Sequence, residues 1–389
     1  MFKDSSLHIA ARDSIAWWKA WLIRLIAVLL SLIVCAIVIF GLTKMNPVEV
    51  YKGIFSGAVG TSRRAWVTIR DTMVLLLIAI GLTPAFKMKF WNIGAEGQIL
   101  IGGACSAAVM IYAGDKMSPV ILLIVMFIAS ALGGMIWGMI YAGDSLPTPV
   151  LMILMFVASM AAGVIWGVIP AIFKAYFNTN ETLFTLMLNY VAMQIVTFCI
   201  VYWENPAGSN TVGIINSATR AGWLPELGGL TYGWNVVIVL VFTIGMYIYM
   251  KYSKQGYEVA VVGESQDTAR YARINVKRTI IRTMGISGGI CGIAGFLLVS
   301  GASHTISTST AGGRGFTAII VAWLSKFNAF VMILVSFFLV FMEKGAIQIA
   351  SQFNLNENAS DVITGIILFF ILGSEFFIRY RIAFTKAHK

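Results

Sequence analysis

The sequence predicts an all-α fold, a polytopic transmembrane helical bundle of about 10 spans. Three observations lead there. Hydrophobic residues fill 59% of the 389 positions and charged residues only 12%, about half the charge of a soluble protein. Mean hydropathy is +0.84. Uncharged runs of about 20 residues, the length that crosses a hydrocarbon core, recur along the chain. They lack the strict alternation of outer-membrane strands.

Taken in order, the runs are 21–42, 72–88, 95–113, 119–141, 148–172, 182–203, 233–251, 279–302, 316–342 and 360–378. The ninth carries a candidate break at Lys326-Phe327-Asn328. Lys19 and Arg24 flank the first run, which places residues 1–20 in the cytoplasm. Residues 21–378 then form one transmembrane domain, and 379–389, with Arg379, Arg381, Lys386 and Lys389, form a cytoplasmic tail. Segment 43–70 is mixed and polar. Segment 204–232 is rich in Gly, Pro, Asn and Ser and reads as an external loop.

Net charge is +11, from 28 Lys+Arg against 17 Asp+Glu. The basic residues lie in short loops between spans. That pattern fits positive-inside loops touching anionic membrane lipid and argues against nucleic acid as a partner. Cys35, Cys105, Cys199 and Cys291 all fall within apolar runs with no zinc-like spacing. The three histidines, at 8, 304 and 388, do not cluster in sequence. No cofactor, metal site or catalytic residue is expected, so the chain does not read as an enzyme. It has no G-x-x-x-x-G-K-[ST] phosphate loop. If ATP drives it, the hydrolysing machinery sits on another polypeptide.

One segment is duplicated. MIYAGDKMSPVILLIVMFIASALGGMIWG at 110–138 is followed at once by MIYAGDSLPTPVLMILMFVASMAAGVIWG at 139–167, identical at 16 of 29 positions. Both copies are apolar and long enough to cross, which raises the count to 11 spans if both do. Lys87 and Lys89 on one side and Lys174 on the other read as cytoplasmic. Three spans between them cannot join two points on one side, so the charge map and the span count conflict here.

The string FWNIGAEGQ at 90–98 sets Asn92, Glu96 and Gln98 among glycines at the start of a span. A carboxylate at bilayer depth costs about 2.5–3.5 kcal/mol on insertion scales and is retained mainly for a path, a partner or a bound solute. Asn92 and Gln98 offer donors and acceptors either to a solute or to the backbone of a broken helix. Asn189 sits mid-span with Thr185 one turn earlier on the same face. These five are the candidate substrate-pathway residues. Glu181, beside Asn180 and Thr182, reads as a helix-start signal. His304 and Arg314 flank a Thr/Ser-rich stretch expected at the outer face.

Segment 251–282 stands apart, with seven basic residues between two apolar spans, and is expected in the cytoplasm. Glu264 and Asp267 precede Arg270 and Arg273, the charge order that suits a helix dipole. A short helix over about 264–273 follows, either solvated or docked in a partner's groove.

FWNIGAEGQILIGG at 90–103, NTNETLFTLMLNYVA at 178–192, GYEVAVVGESQDTARYARINVKRTI at 256–280, GGRGFTAIIVAWL at 312–324 and SDVITGIILFFILGSEFF at 360–377 resemble the membrane permease subunits of ABC importers. The likeness is to the branched-chain amino-acid/ribose-type superfamily and, within it, to the nucleoside (BMP-lipoprotein-associated) branch. The resemblance implies inward nucleoside transport across a bacterial plasma membrane. It also implies a cytoplasmic ABC ATPase, a second permease subunit (homo- or heterodimeric) and an extracytoplasmic substrate-binding lipoprotein. It places the ATPase-coupling loop within 252–278, where Gly263, Glu264, Thr268, Ala269, Arg270, Tyr271, Ala272 and Asn275 match the family's motif. The duplicated segment departs from the family pattern, in which one copy is expected. Ribose or another sugar as solute, and an ion-driven secondary transporter, are the alternatives.

Overall fold

A computed structural model describes residues 5–11, 15–43, 47–114, 148–352 and 357–386. The described residues are overwhelmingly helical, and eight of their helices are long and apolar enough to cross a membrane. The expected span at 119–141 lies outside the described residues, as does most of the first repeat copy.

The helices are α1 (Trp17–Thr43), α2 (Pro47–Val59), α3 (Ser62–Lys87), α4 (Ala95–Ala113), α5 (Thr148–Phe177), α6 (Glu181–Trp203), α7 (Gly233–Tyr252), α8 (Lys254–Glu264), α9 (Gln266–Tyr271), α10 (Val276–Leu298), α11 (Arg314–Leu324), α12 (Ala329–Gln352) and α13 (Glu357–Arg379). Within the polar stretch 43–70 lie α2 and the first turns of α3, which begins ten residues before the expected span. The expected break in the ninth run is present. Lys326 and Phe327 take left-handed φ of 49° and 60° between α11 and α12, and the Asn328 side chain accepts the Phe330 N–H at 3.0 Å to start α12.

The chain divides into two compact units, Met1–Thr68 with Phe337–Lys389, and Ile69–Ser336. In the first, α1 packs along α13 with an Arg24–Glu375 ion pair at 3.2 Å. Strands β1 (Ser5–Ala11) and β2 (Tyr380–Lys386) pair antiparallel, Ser5 opposite Lys386. This ribbon is not foreseen by an all-α reading of the terminal segments. Leu25 and Ile37 of α1 are exposed while Ser31 is buried, the polarity expected where lipid is the solvent.

The second unit is organised on α4, α5 and α10, which pack directly on one another. Small residues make this possible. Gly102 of α4 faces the Gly292 backbone of α10, and Gly163 of α5 faces Gly288. Between membrane helices such backbone approach replaces the hydrophobic driving force that is absent in lipid. The order of contacts gives the directions. Along α10, Met284, Gly288 and Gly292 meet Gly167, Gly163 and Ser159 of α5 in falling order, so α5 runs antiparallel to α10. Asn92 meets Ser287 and Gly103 meets Val299, so α4 runs parallel to it.

This settles the parity conflict for the described helices. The Met110 carbonyl near the end of α4 accepts the Asn216 side-chain N–H at 2.7 Å, and Met152 near the start of α5 lies 3.7 Å from Ser300, in the π-helical turn that follows α10. Ala113 and Thr148 therefore emerge at the same end of the trio, and α4 and α5 bring the chain from Lys89 back to the side of Lys174. Because both copies open with MIYAGD, excising 110–138 restores the α4 sequence and joins it to α5 through Gly143-Asp144-Ser145-Leu146-Pro147. That is an ordinary length for a helix–helix connection. Membrane-inserted yield and thermal midpoint of the shortened chain are expected to match or exceed those of the full chain. A collapse of inserted protein would show that 115–147 is integral to the bundle.

Candidate functional site

The string at 90–98 builds a break at the centre of the second unit. After α3 ends, Lys89 adopts φ 58° and the Phe90 N–H closes the turn on the Ala85 carbonyl at 2.9 Å. The chain then doubles back beside α3 before α4 begins. Backbone freed here must find partners inside protein, and the polar side chains singled out in sequence supply them. Asn92 and Gln98 exchange amide hydrogen bonds, Nδ2–H to Oε1 and Nε2–H to Oδ1, each at 3.3 Å. Asn92 also accepts the Gly94 N–H at 3.1 Å and donates to Ser287 Oγ of α10 at 3.2 Å. From α6, Thr185 Oγ1 accepts the Ile93 N–H at 3.2 Å. Asn189 accepts the Gly97 N–H at 2.9 Å and donates to the Ile93 carbonyl at 2.9 Å. All four side chains are buried. Sequence left two roles open for these amides, and their hydrogen bonds are directed at the broken backbone and at one another.

Glu96 occupies the first turn of α4 and joins two breaks. Its Oε1 accepts the Gly313 N–H at 2.7 Å and its Oε2 the Gly315 N–H at 2.8 Å, which caps the N-terminus of α11. A carboxylate on the positive end of a helix dipole is favourably placed. Gly313 carries φ 72°, and a side chain at Gly315 would collide with the Glu96 backbone. Beside this cap, Arg314 reaches the buried Asp71 of α3 at 3.7 Å. Arg70 also holds Asp71, at 2.8 Å, and lies 4.8 Å over the Tyr232 ring. Arg314, which sequence placed beside an outer-face stretch, is thus partly buried and directed at Asp71. Asp71 lies 16 residues, about 24 Å at helical rise, before the end of α3. Hence α4 and α11 both start part-way along α3. At the other end of α11, Trp323 stacks on Trp91 at 5.4 Å.

The basic segment folds as α8 and α9, split at Ser265, whose hydroxyl accepts the Thr268 N–H at 3.2 Å. The short helix expected over about 264–273 corresponds to α9, with Glu264 falling instead at the end of α8. Asn275 caps α10 through the Arg278 N–H at 3.0 Å. Glu264, Thr268, Arg270, Tyr271, Ala272 and Asn275 are exposed, Tyr271 to 90%. Among the described residues Arg270 pairs only with Asp267 one turn earlier, at 3.2 Å. Two of the motif residues face inward. Gly263 presses on the Lys87–Met88 backbone at the end of α3, and Ala269 is fully buried. Ala269 belongs to a cluster with Val259, Val262, Met88, Phe90, Ala171 and Met284. The small residue at 269 serves close packing within this chain rather than toward a partner. Through Met88 and Phe90 the same cluster touches the first residues of the break.

Glu181 opens α6, as its helix-start reading has it, but does not supply the cap. The cap of α6 is Asn180, which accepts from Thr182 and Leu183 N–H at 3.1 and 3.2 Å, while Glu181 forms an ion pair with Lys174 at 2.9 Å. His304 stacks face to face on Trp223 at 3.8 Å. Burial, and then the Arg70 charge, hold its pKa below the ordinary imidazole range, against a raising hydrogen bond to the Ser300 backbone. Sequence reasoning missed Ser287, Asp71 and the two glycine N–H groups. Nothing local marks Ser287 or the glycines, whose partners lie about 200 residues away, and beside Asp71 the sequence shows Arg70 but not the distant Arg314.

Residues 139–372 match the family described as the permease component of branched-chain amino acid transport systems. The match opens at the first residue of the second repeat copy. A glucose ABC transporter permease of Haloferax volcanii is 24% identical over 97% of this chain and 93% of its own. A guanosine ABC transporter permease of Bacillus subtilis is 26% identical, covering 91% and 93%. A nucleoside ABC transporter permease of Lactococcus lactis is 25% identical, covering 95% and 94%. No solved structure matches. A core built on glycine-packed apolar helices, interrupted by two capped breaks, suits a membrane-embedded transport subunit, and the chain belongs to this family of multi-pass ABC permease components.

Proposed function

We propose that this chain is the membrane-spanning permease subunit of an ABC importer that moves nucleosides inward, driven by a separate cytoplasmic ATPase. The observation that carries the solute class is the naming of the relatives. Two of the three that cover more than nine-tenths of both chains are guanosine or nucleoside permeases. The glucose permease at 24% identity favours a sugar as the second reading.

The ATPase docks on the exposed face of α8–α9, with Tyr271 as an amphipathic anchor and Arg270 beside it. Its closure pushes on Ala269 and Gly263. Their packing passes the displacement to Met88 and Phe90, and so to the break at 90–98. Asn92, Gln98, Thr185 and Asn189 act as positioning residues that keep the break in one arrangement, and Glu96 carries the movement to α11. Two discrete packings of these half-helices switch access from outside to inside. A second permease subunit and an extracytoplasmic receptor lipoprotein complete the system.

Uptake of labelled guanosine, uridine and glucose by cells expressing this chain with its ATPase and receptor tests both parts. Guanosine or uridine uptake is expected, with glucose at background. Replacing Arg270 and Tyr271 together by Ala is expected to lower uptake by at least about tenfold, on the scale of a lost interface hot spot of ~2 kcal/mol, with inserted protein unchanged. Unaltered uptake and ATPase co-purification in that variant would refute the docking surface. Glucose uptake alone would move the chain to the sugar reading.

A further inference from the structure

A cavity of about 480 Å³ opens between α3, α7 and the α11–α12 turn. Three lysines line it, Lys87 at the end of α3, Lys251 in the last turn of α7, and Lys326 in the left-handed turn. The rest of the lining combines apolar side chains, Ile80, Met246 and Met332 among them, with the polar Thr83, Thr243, Tyr247 and Asn328. No carboxylate pairs with any of the three lysines among the described residues. Lys251 donates to the Tyr247 hydroxyl at 3.0 Å, which orients its ammonium without neutralising it. Three like charges around one cavity repel one another, and an anion at that point relieves the repulsion.

We propose that this cavity binds an anionic phospholipid, its phosphate among the three ammonium groups and an acyl chain against Ile80, Met246 and Met332. The cationic lining joined to apolar side chains matches a lipid in both charge and polarity, whereas a free phosphate satisfies only the charge. The lysines stand at helix ends on the face that carries the basic segment 251–282, where cytoplasmic-leaflet headgroups lie. Lys87 is also the residue whose backbone Gly263 presses on. A lipid seated here therefore braces the end of α3 against α8. The inference rests on the chain's place in the membrane and is independent of which solute it carries.

The test uses the full chain purified in neutral detergent, with lipid retention read by native mass spectrometry. It is expected to retain phosphatidylglycerol over phosphatidylcholine by at least tenfold, since each lysine near an anionic headgroup contributes roughly a fivefold preference. The triple variant K87Q/K251Q/K326Q is expected to lose that preference. The charge-preserving K87R/K251R/K326R is expected to keep it, and so is K277Q/R278Q, which removes two exposed charges from the start of α10 on the same face. Equal retention of the two lipids by the unaltered chain would overturn the proposal. So would equal loss in K277Q/R278Q, which would mean a diffuse surface field. Displacement of phosphatidylglycerol by millimolar inorganic phosphate or glycerophosphate would also overturn it, identifying the ligand as a free anion.

Discussion

Replacing Gly292 by Leu is expected to abolish membrane-inserted, monodisperse protein. A Cβ at this position runs into the Ser159 carbonyl and lies 3.1 Å from the Gly163 Cα. Both obstructing atoms are α5 backbone, so no rotamer relieves the clash. Gly102 of α4, a second helix, also meets this residue. Overpacking a core by even a methylene costs about 1–3 kcal/mol, and a leucine here must separate α5 from α10 along their length. With backbone as the obstruction the cost lies at or above the top of that range, a large share of the ~5–15 kcal/mol that holds a whole domain together. The Ser159 hydroxyl, which donates to the Gly292 carbonyl, is lost with the same displacement. Gly285 on the same helix provides the internal comparison. A Cβ there meets Val168 and Val164 at 3.5 and 3.7 Å, ordinary contacts. Gly285→Ala is expected to keep or raise the thermal midpoint, because Gly inside a helix costs roughly 0.5–1 kcal/mol relative to Ala. Fluorescence-detected size exclusion on a heated series of both variants reads the difference. If the two behave alike, the three-helix packing is wrong.

Glu96→Ala is expected to release α11 and with it transport. The carboxylate accepts two interior backbone N–H groups, at 2.7 and 2.8 Å. Hydrogen bonds to a charged group contribute about 1.5–3 kcal/mol each, and an interior donor left unmade forfeits its solvation as well. Roughly 3–6 kcal/mol therefore leaves the junction of α4 and α11. Arg314 keeps Asp71 but loses a second nearby carboxylate. Glu96→Gln is expected to fall between, since one amide oxygen still accepts while the NH₂ group opposes the other N–H. Hydrogen exchange at 313–317 reads this directly, with faster exchange in Glu96→Ala than in Glu96→Gln and slowest in the unaltered chain. Uptake is expected to fall in the same order. Unchanged exchange in Glu96→Ala would mean that the cap carries no weight in the membrane.

The helix inventory was legible because insertion into lipid depends on short stretches taken one at a time. The run 95–113 coincides with α4, and the break at Lys326-Phe327-Asn328 falls where two consecutive left-handed residues end α11. The polar string at 90–98 was legible as a break for the same local reason. Less legible was segment 43–70. Its charges argue against a span but leave helix formation open, and α2 and the first turns of α3 occupy it. Asn180 rather than Glu181 caps α6 because the cap requires an oxygen positioned over the following N–H groups, which neighbouring residues compete to supply.

The sequence by itself determined that this is a multi-pass helical protein, where its helices break, and which segment carries the basic charge. Each of these follows from transfer free energies and backbone preferences that act over a few residues. Only the tertiary structure decided what the polar residues face. Glu96 caps a helix more than 200 residues away, Asn92 reaches Ser287, Arg314 turns inward to Asp71, and Ala269 packs inside while Tyr271 stands out. An interior carboxylate or amide can be satisfied by many partners of equal chemistry. Which one it meets depends on how closely α4, α5 and α10 approach, and glycines spread over three distant segments set that distance together.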